Sequence, residues 1–141
     1  MPDIGLTHVA LAVTNLERSL AFYARYAAME IIHRREGAAW ISDRTRAFAI
    51  VLIEGDDVGA PLGPFSHLGV ACATRQEVDR RCANARAEGC LRREPVQSDG
   101  PAGYWAFLDD PDGHTLELTY GQEVDRAVAG VDPARGGEGP Q

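Results

Sequence analysis

Two histidines occupy the third position of two short apolar runs: His8 in LTHVALAV (residues 6–13) and His67 in FSHLGVAC (65–72). A neutral imidazole nitrogen is a good ligand for a borderline divalent metal. A carboxylate, Glu117, sits in a third apolar run, TLELTYG (115–121). Two histidines and one carboxylate on three strands form a set that grips a divalent metal from one side. Such a set leaves coordination positions open for substrate, water or O₂. One strand histidine by itself is ordinarily a hydrogen-bonded rim residue, and one strand glutamate is ordinarily solvated. The repeated placement with a matching acid carries the argument. His33, in the polar run HRRE, reads as a strand-edge residue, and His114, beside a turn, as an exposed one.

Side chains alternate across a strand. His8 therefore shares a face with Ala10 and Ala12, opposite Val9, Leu11 and Val13. His67 shares a face with Gly69 and Ala71, opposite Leu68, Val70 and Cys72. Glu117 alternates with Leu116, Leu118 and Tyr120, in the company of Thr115 and Thr119. The bulky faces should meet helices. The faces that carry the chemistry have small neighbours, which leave room for a cavity wall.

The two histidine runs head a repeat offset by 59 residues. After His8 come VALAV, Asn15 and LERSLAFYARYAAM, with Leu16, Leu20 and Tyr23 at helical spacing and Asn15 as N-cap. After His67 come LGVAC, Thr74 and RQEVDRRCANARAEG, with Val78, Cys82 and Ala85 at the same spacing. Thr74 and Glu77 form a capping-box pattern, and Gly89 stops the helix. Strands are predicted over 29–36, 39–43 and 46–54, and again over 91–96, 103–109 and 114–120. The fold class is thus α+β: two tandem βαβββ modules with mainly antiparallel sheets. The first module spans 1–54, the second 65–121, and the stretch 55–64, rich in Gly, Pro and Asp, is the linker. Residues 122–141 form a C-terminal tail, partly disordered because VDPARGGEGPQ has too little apolar content to order itself.

The totals narrow the function classes. An apolar content of 45% and a charged content of 25% are those of an ordinary globular protein. A net charge of −7 argues against a nucleic-acid partner. No apolar run is long enough to span a membrane, and no secretory signal opens the chain. Cys72, Cys82 and Cys90 have no CxxC spacing and read as three reduced thiols in a cytoplasmic protein.

The runs THVALAV, LERSLAFY and SHLGVAC, with the ending FLDDPDGHTLELTYG, resemble the vicinal oxygen chelate superfamily of glyoxalases, bleomycin-resistance proteins and extradiol dioxygenases. The resemblance covers roughly residues 5–121. It implies sheets curling around a central metal site, with His8, His67 and Glu117 as ligands of one divalent transition metal (Fe, Mn, Ni or Zn). It also implies a small-molecule substrate and a homodimer, because modules sharing a site come from different subunits in many members.

Members differ in chemistry. Glyoxalase I-like enzymes carry a fourth ligand, a Glu, on the last strand of the first module. Matching ELTYG to VLIEG places Val51 there, and Glu54, three residues on, faces away unless a bulge re-aims it. Extradiol dioxygenases have a Tyr three residues before the Asp of the DP turn, where this chain has Phe107; Tyr104 is a nearby catalytic candidate on the opposite face. Fosfomycin-type thiol transferases place an Arg nine residues after the Glu, where Arg126 stands, although their Thr after the first His is Ala10 here. Metal-free drug-sequestering members generally lack the ligands. Trp40, Tyr104, Trp105 and Phe107 are available either as an aromatic pocket or as core. The sequence thus leans to a metal-dependent enzyme, glyoxalase- or dioxygenase-like, on a substrate with vicinal oxygens. A thiol transferase and a ligand-sequestering protein are the alternatives.

Overall fold

The alternation around His8 produces strand β1 (His8–Val13), in which Leu11 and Val13 are buried while His8, Ala10 and Ala12 are exposed. The computed structural model describes residues 2–130. These fall into two compact units, one running through Pro61 and including Asp110–Gly113, the other made of Leu62–Asp109 and the residues from His114 onward.

In the first unit β1 is followed by α1 (Leu16–Ala27), β2 (Glu30–Arg35), β3 (Ala38–Ser42) and β4 (Ala49–Glu54). The sheet order is β1-β4-β3-β2, with β1 and β4 parallel and the other pairs antiparallel. The buried side chains of α1 include the expected Leu16, Leu20 and Tyr23. Its first turn has two acceptors: the Asn15 side chain takes the Arg18 N–H, and the Glu54 carboxylate takes the Leu16 N–H at 2.7 Å. The helix ends on Ala28 in the left-handed region (φ 54°), a conformation that glycine adopts more readily. Strand β4 starts three residues later than the sequence suggests. Residues 43–48 instead make turns, closed by the Asp43 carboxylate on Thr45 and by the Phe48 N–H on the Arg46 carbonyl. The segment Asp110–Gly113 is held in this unit by Tyr23, whose hydroxyl donates to Asp110 at 2.8 Å, and by Thr14, which donates to Asp112.

The second unit runs β5 (Leu68–Ala71), α2 (Arg75–Glu88), β6 (Leu91–Gln97), β7 (Tyr104–Asp109), β8 (Thr115–Tyr120) and a short helix α3 (Val124–Val128). Its sheet repeats the first, in the order β5-β8-β7-β6 with β5 and β8 parallel. Val78, Cys82 and Ala85 of α2 are buried, as are Ala106, Leu108, Leu116 and Leu118 on the inner face of the sheet. The capping box at the start of α2 is made in one half: Thr74 Oγ1 accepts the Glu77 N–H, while the Glu77 carboxylate engages Arg80 and Arg81. Gly89 closes the helix at φ 78°. Strand β6 is irregular on both sides of Arg93, and Pro95, which has no N–H for the ladder, lies within the second irregularity. The α+β architecture of two four-stranded βαβββ modules is as expected. Cys72, Cys82 and Cys90 form no disulfide among the described residues. Among the described residues no helix is long and apolar enough to cross a membrane. Residues 131–141, read from sequence as part of the tail, lie outside the described residues.

Candidate metal centre

Strand register decides which side chains can meet. In the second sheet Gly69 pairs with Glu117, and Phe107 pairs with Glu117 from the other side. Alternation then puts His67, Gly69, Phe107, Glu117 and Trp105 on one face, opposite the face that packs on α2. On that face His67 Nε2 stands 3.3 Å from Glu117 Oε2.

The other ring nitrogen fixes the tautomer. His67 Nδ1 lies 2.9 Å from the Pro64 carbonyl, which can only accept, so Nδ1 carries a proton. In the neutral ring Nε2 is then a lone pair, facing a carboxylate oxygen. Two acceptors this close are stable together only with a cation or a proton between them. A histidine whose outer N–H is anchored on a backbone carbonyl is the arrangement that aims a metal ligand. Glu117 is 9% exposed, and burial raises its carboxyl above the ordinary range, while His67 acts in the opposite direction. Gly69 makes the space: a Cβ there would lie 3.3 Å from Glu117 Oε2. The donor set and this cleared space both fit a divalent cation.

His8, the third expected ligand, belongs to the first unit. It is exposed, and its Nδ1 lies 2.9 Å from Thr7 Oγ1. Among the described residues no group of three or more His, Cys, Asp or Glu side chains is gathered as a metal site. The two sheets carry equivalent registers: Ala10 pairs with Val51 as Gly69 pairs with Glu117. Val51 therefore occupies in the first unit the place of Glu117 in the second. No bulge interrupts the pairing of β4 with β1 or β3, and Glu54 is engaged with the start of α1.

The aromatic and catalytic candidates separate. Tyr104 lies on the helix side of β7, buried, donating to Asp79 of α2 beneath the Arg75 guanidinium. That bond to Asp79, ahead of burial, raises its phenol above the ordinary range. Phe107 lies against His67 (ring centroids 5.2 Å) and against Trp105 (4.9 Å), and the Arg93 guanidinium covers the Trp105 ring. Trp40 stands in the first unit, half-buried beside His33 and Arg35. Arg126 lies in α3 and pairs with Glu123 at 3.1 Å. His33 lies on the edge strand β2 as expected. His114 does not follow its expectation: it is 3% exposed, and its Nδ1 accepts the Leu62 N–H. A turn-flanking position gave no sign that residues 62–64 would cover it. Residue type and spacing alone do not point to the Pro64 carbonyl or to Arg93. The Gly63-Pro64 step three residues before His67 is the available signal for the first, and the irregular pairing of β6 hides the second.

The profile of the Glyoxalase/Bleomycin resistance protein/Dioxygenase superfamily matches residues 5–118. The chain belongs to that superfamily. It is 35% identical over 126 residues to an uncharacterized protein of Pseudomonas aeruginosa, a match covering 84% of this chain and 90% of the relative. It is 28% identical over 125 residues to the lactoylglutathione lyase GLX1 of Arabidopsis thaliana, where 79% of the chain corresponds to 42% of the plant protein. The chain thus spans less than half of that relative. Among solved structures, the fosfomycin resistance protein FosX of Listeria monocytogenes, complexed with Mn(II) and sulfate, superposes with a TM-score of 0.71 at 22% identity. That match covers 91% of this chain and 98% of FosX, and at this identity it speaks for the fold. Superfamily members act on small molecules, and some use divalent metals.

Proposed function

We propose that the protein is a divalent-metal-dependent enzyme acting on a small molecule with vicinal oxygens, glyoxalase- or dioxygenase-like in type. The observation that carries this is the His67–Glu117 pair, with its proton position set by Pro64 and its space cleared by Gly69. His67 Nε2 and Glu117 Oε2 hold the metal with His8 of a second copy of the chain, so that a homodimer completes each site. The metal is Fe, Mn, Ni or Zn, and when bound it supplies Lewis acidity toward the substrate's oxygens.

The chain's own residues do the rest. The Pro64 carbonyl fixes the orientation of the His67 ring. Phe107 and Trp105 form an apolar wall that receives the substrate's body and keeps water from it. Glu54 caps α1, and Val51 offers no carboxylate, so a fourth protein ligand on the last strand of the first module is not part of this reading. Tyr104 and Arg126 are each engaged, with Asp79 and Glu123, and neither is assigned a catalytic role.

The test is the metal content of protein purified without chelator or nickel affinity resin, alongside His67→Ala. Near one equivalent of a transition metal per chain, lost in the variant, is the expected result. No uptake of Fe²⁺, Mn²⁺, Ni²⁺ or Zn²⁺ by either protein would overturn the reading and favour metal-free ligand sequestration on the aromatic wall.

A further inference from the structure

The first unit contains an open pocket of about 410 Å³, lined by Thr7, Ser42, Arg44, Arg46 and Phe48 among others. It adjoins the proposed ligand His8 directly. Thr7 is the preceding residue, its hydroxyl meets the His8 ring, and its carbonyl receives the N–H of Ala49, the register partner of His8.

Two features mark the cavity as a binding place. Its size lies within the range of small-molecule sites, above what a bare inorganic ion requires. Its charged lining is solely cationic in a chain whose net charge is −7. The two arginines are not equivalent. Arg44 Nε is already engaged by the Glu30 carboxylate at 2.5 Å, and its backbone N–H is tied to Ser42 Oγ. The Arg46 guanidinium has no hydrogen-bond or ion-pair partner among the described residues, its backbone carbonyl alone being taken, by the Phe48 N–H. It stands on a loop ordered by the Asp43–Thr45 and Phe48–Arg46 bonds. An unmatched guanidinium beside hydroxyls and an apolar floor of Ile32 and Phe48 suits the carboxylate of an organic acid, which matches its forked donors.

We propose that this cavity is a subsite for a carboxylate-bearing limb of the substrate, with Arg46 binding the carboxylate and Ile32 and Phe48 holding the apolar limb. It rests on the reading of His8 as a metal ligand, since that places the limb next to the vicinal oxygens. The substrate class is then an organic acid that carries vicinal oxygens at the opposite end from its carboxylate.

The probes are 3-phenylpropionate and its neutral amide, neither of which has vicinal oxygens. Their Kd values are measured by calorimetry on the wild-type protein, Arg46→Gln and His67→Ala, with metal content determined on the same samples. The wild-type protein is expected to prefer the carboxylate at least tenfold. Arg46→Gln is expected to lose that preference and keep the native circular dichroism spectrum, because Arg46 is exposed. His67→Ala is expected to retain it. Equal affinities for acid and amide in the wild-type protein, or a preference intact in Arg46→Gln, would overturn the proposal. So would a preference lost in His67→Ala, which would put the carboxylate on the metal. Because the metal content is read separately, failure of the subsite and failure of the metal site are distinguishable.

Discussion

His67 and Glu117 face each other across adjacent parallel strands, Nε2 to Oε2 at 3.3 Å, over the one residue between them that has no side chain, Gly69. This relationship is testable at the glycine. In Gly69→Ala the new Cβ would meet Glu117 Oε2 at 3.3 Å, so the carboxylate must give by a few tenths of an ångström. Gly69 has no left-handed φ, and alanine is ordinarily better than glycine inside a strand. Stability should therefore be unchanged or slightly raised while metal affinity falls about tenfold, the low end of what a disturbed ligand orientation costs. Metal titration and thermal melts on one sample would check both. An unchanged metal affinity would remove the carboxylate from the site.

Glu54 provides the contrasting case. Its carboxylate accepts the Leu16 N–H at the start of α1, where a negative charge also complements the helix dipole. Glu54→Ala is expected to cost about 1 kcal/mol of folding free energy, the size of a lost N-cap. Metal content should be unaltered. A variant that kept its stability and lost its metal would restore a four-ligand site.

Tyr23 anchors the Asp110–Gly113 turn. It is 1% exposed and Asp110 is 4% exposed, and burial first, then the Asp110 charge, pushes its phenol far above the ordinary range. The proton thus stays on Tyr23 as a donor at any working pH. Tyr23→Phe removes a hydrogen bond to a charged group at little change in volume, and about 1.5–3 kcal/mol of stability should be lost in urea melts.

The sequence made the sheets legible because each strand around the pair has one bulky and one small or polar face. His8, His67, Gly69 and Glu117 could be placed on faces from alternation alone. Parity of position likewise separated Tyr104 from Phe107, and the register of Val51 with Ala10 agrees with the match of ELTYG to VLIEG. Contacts made by irregular backbone were not legible. The burial of His114 under Leu62 and the anchoring of His67 by Pro64 depend on the path of residues 62–67, for which no periodicity exists. The late start of β4 has the same origin, since the Asp43 side chain diverts residues that otherwise have strand-like composition.

Glu77 gives a pH dependence with a definite sign. Hydrogen bonds from Arg80 and then Arg81 hold its carboxyl down to about 2, below the unfolded value. A depressed carboxyl contributes stability that is fully present above the unfolded pKa of about 4.3 and lost as pH falls through the folded value. The trio is at the surface and screened, so the contribution is about 1 kcal/mol or less. Between pH 5 and pH 2.5 the stability difference between wild type and Glu77→Gln should shrink toward zero. A difference that grew on acidification would contradict the assignment.

The proposed division of ligands between copies makes a prediction about mixtures. His8→Ala and His67→Ala should each bind no metal alone. In a heterodimer of the two, one site would join the mutated His8 to the mutated His67 pair and be dead. The other would join an intact His8 to an intact His67–Glu117 pair. Random pairing after co-refolding should therefore restore about one quarter of the wild-type metal content, as two-fold symmetry requires of a shared site. If all three ligands came from one chain, every site in the mixture would carry a defect, and no metal would return. Metal analysis of the refolded mixture beside the two pure variants distinguishes these outcomes.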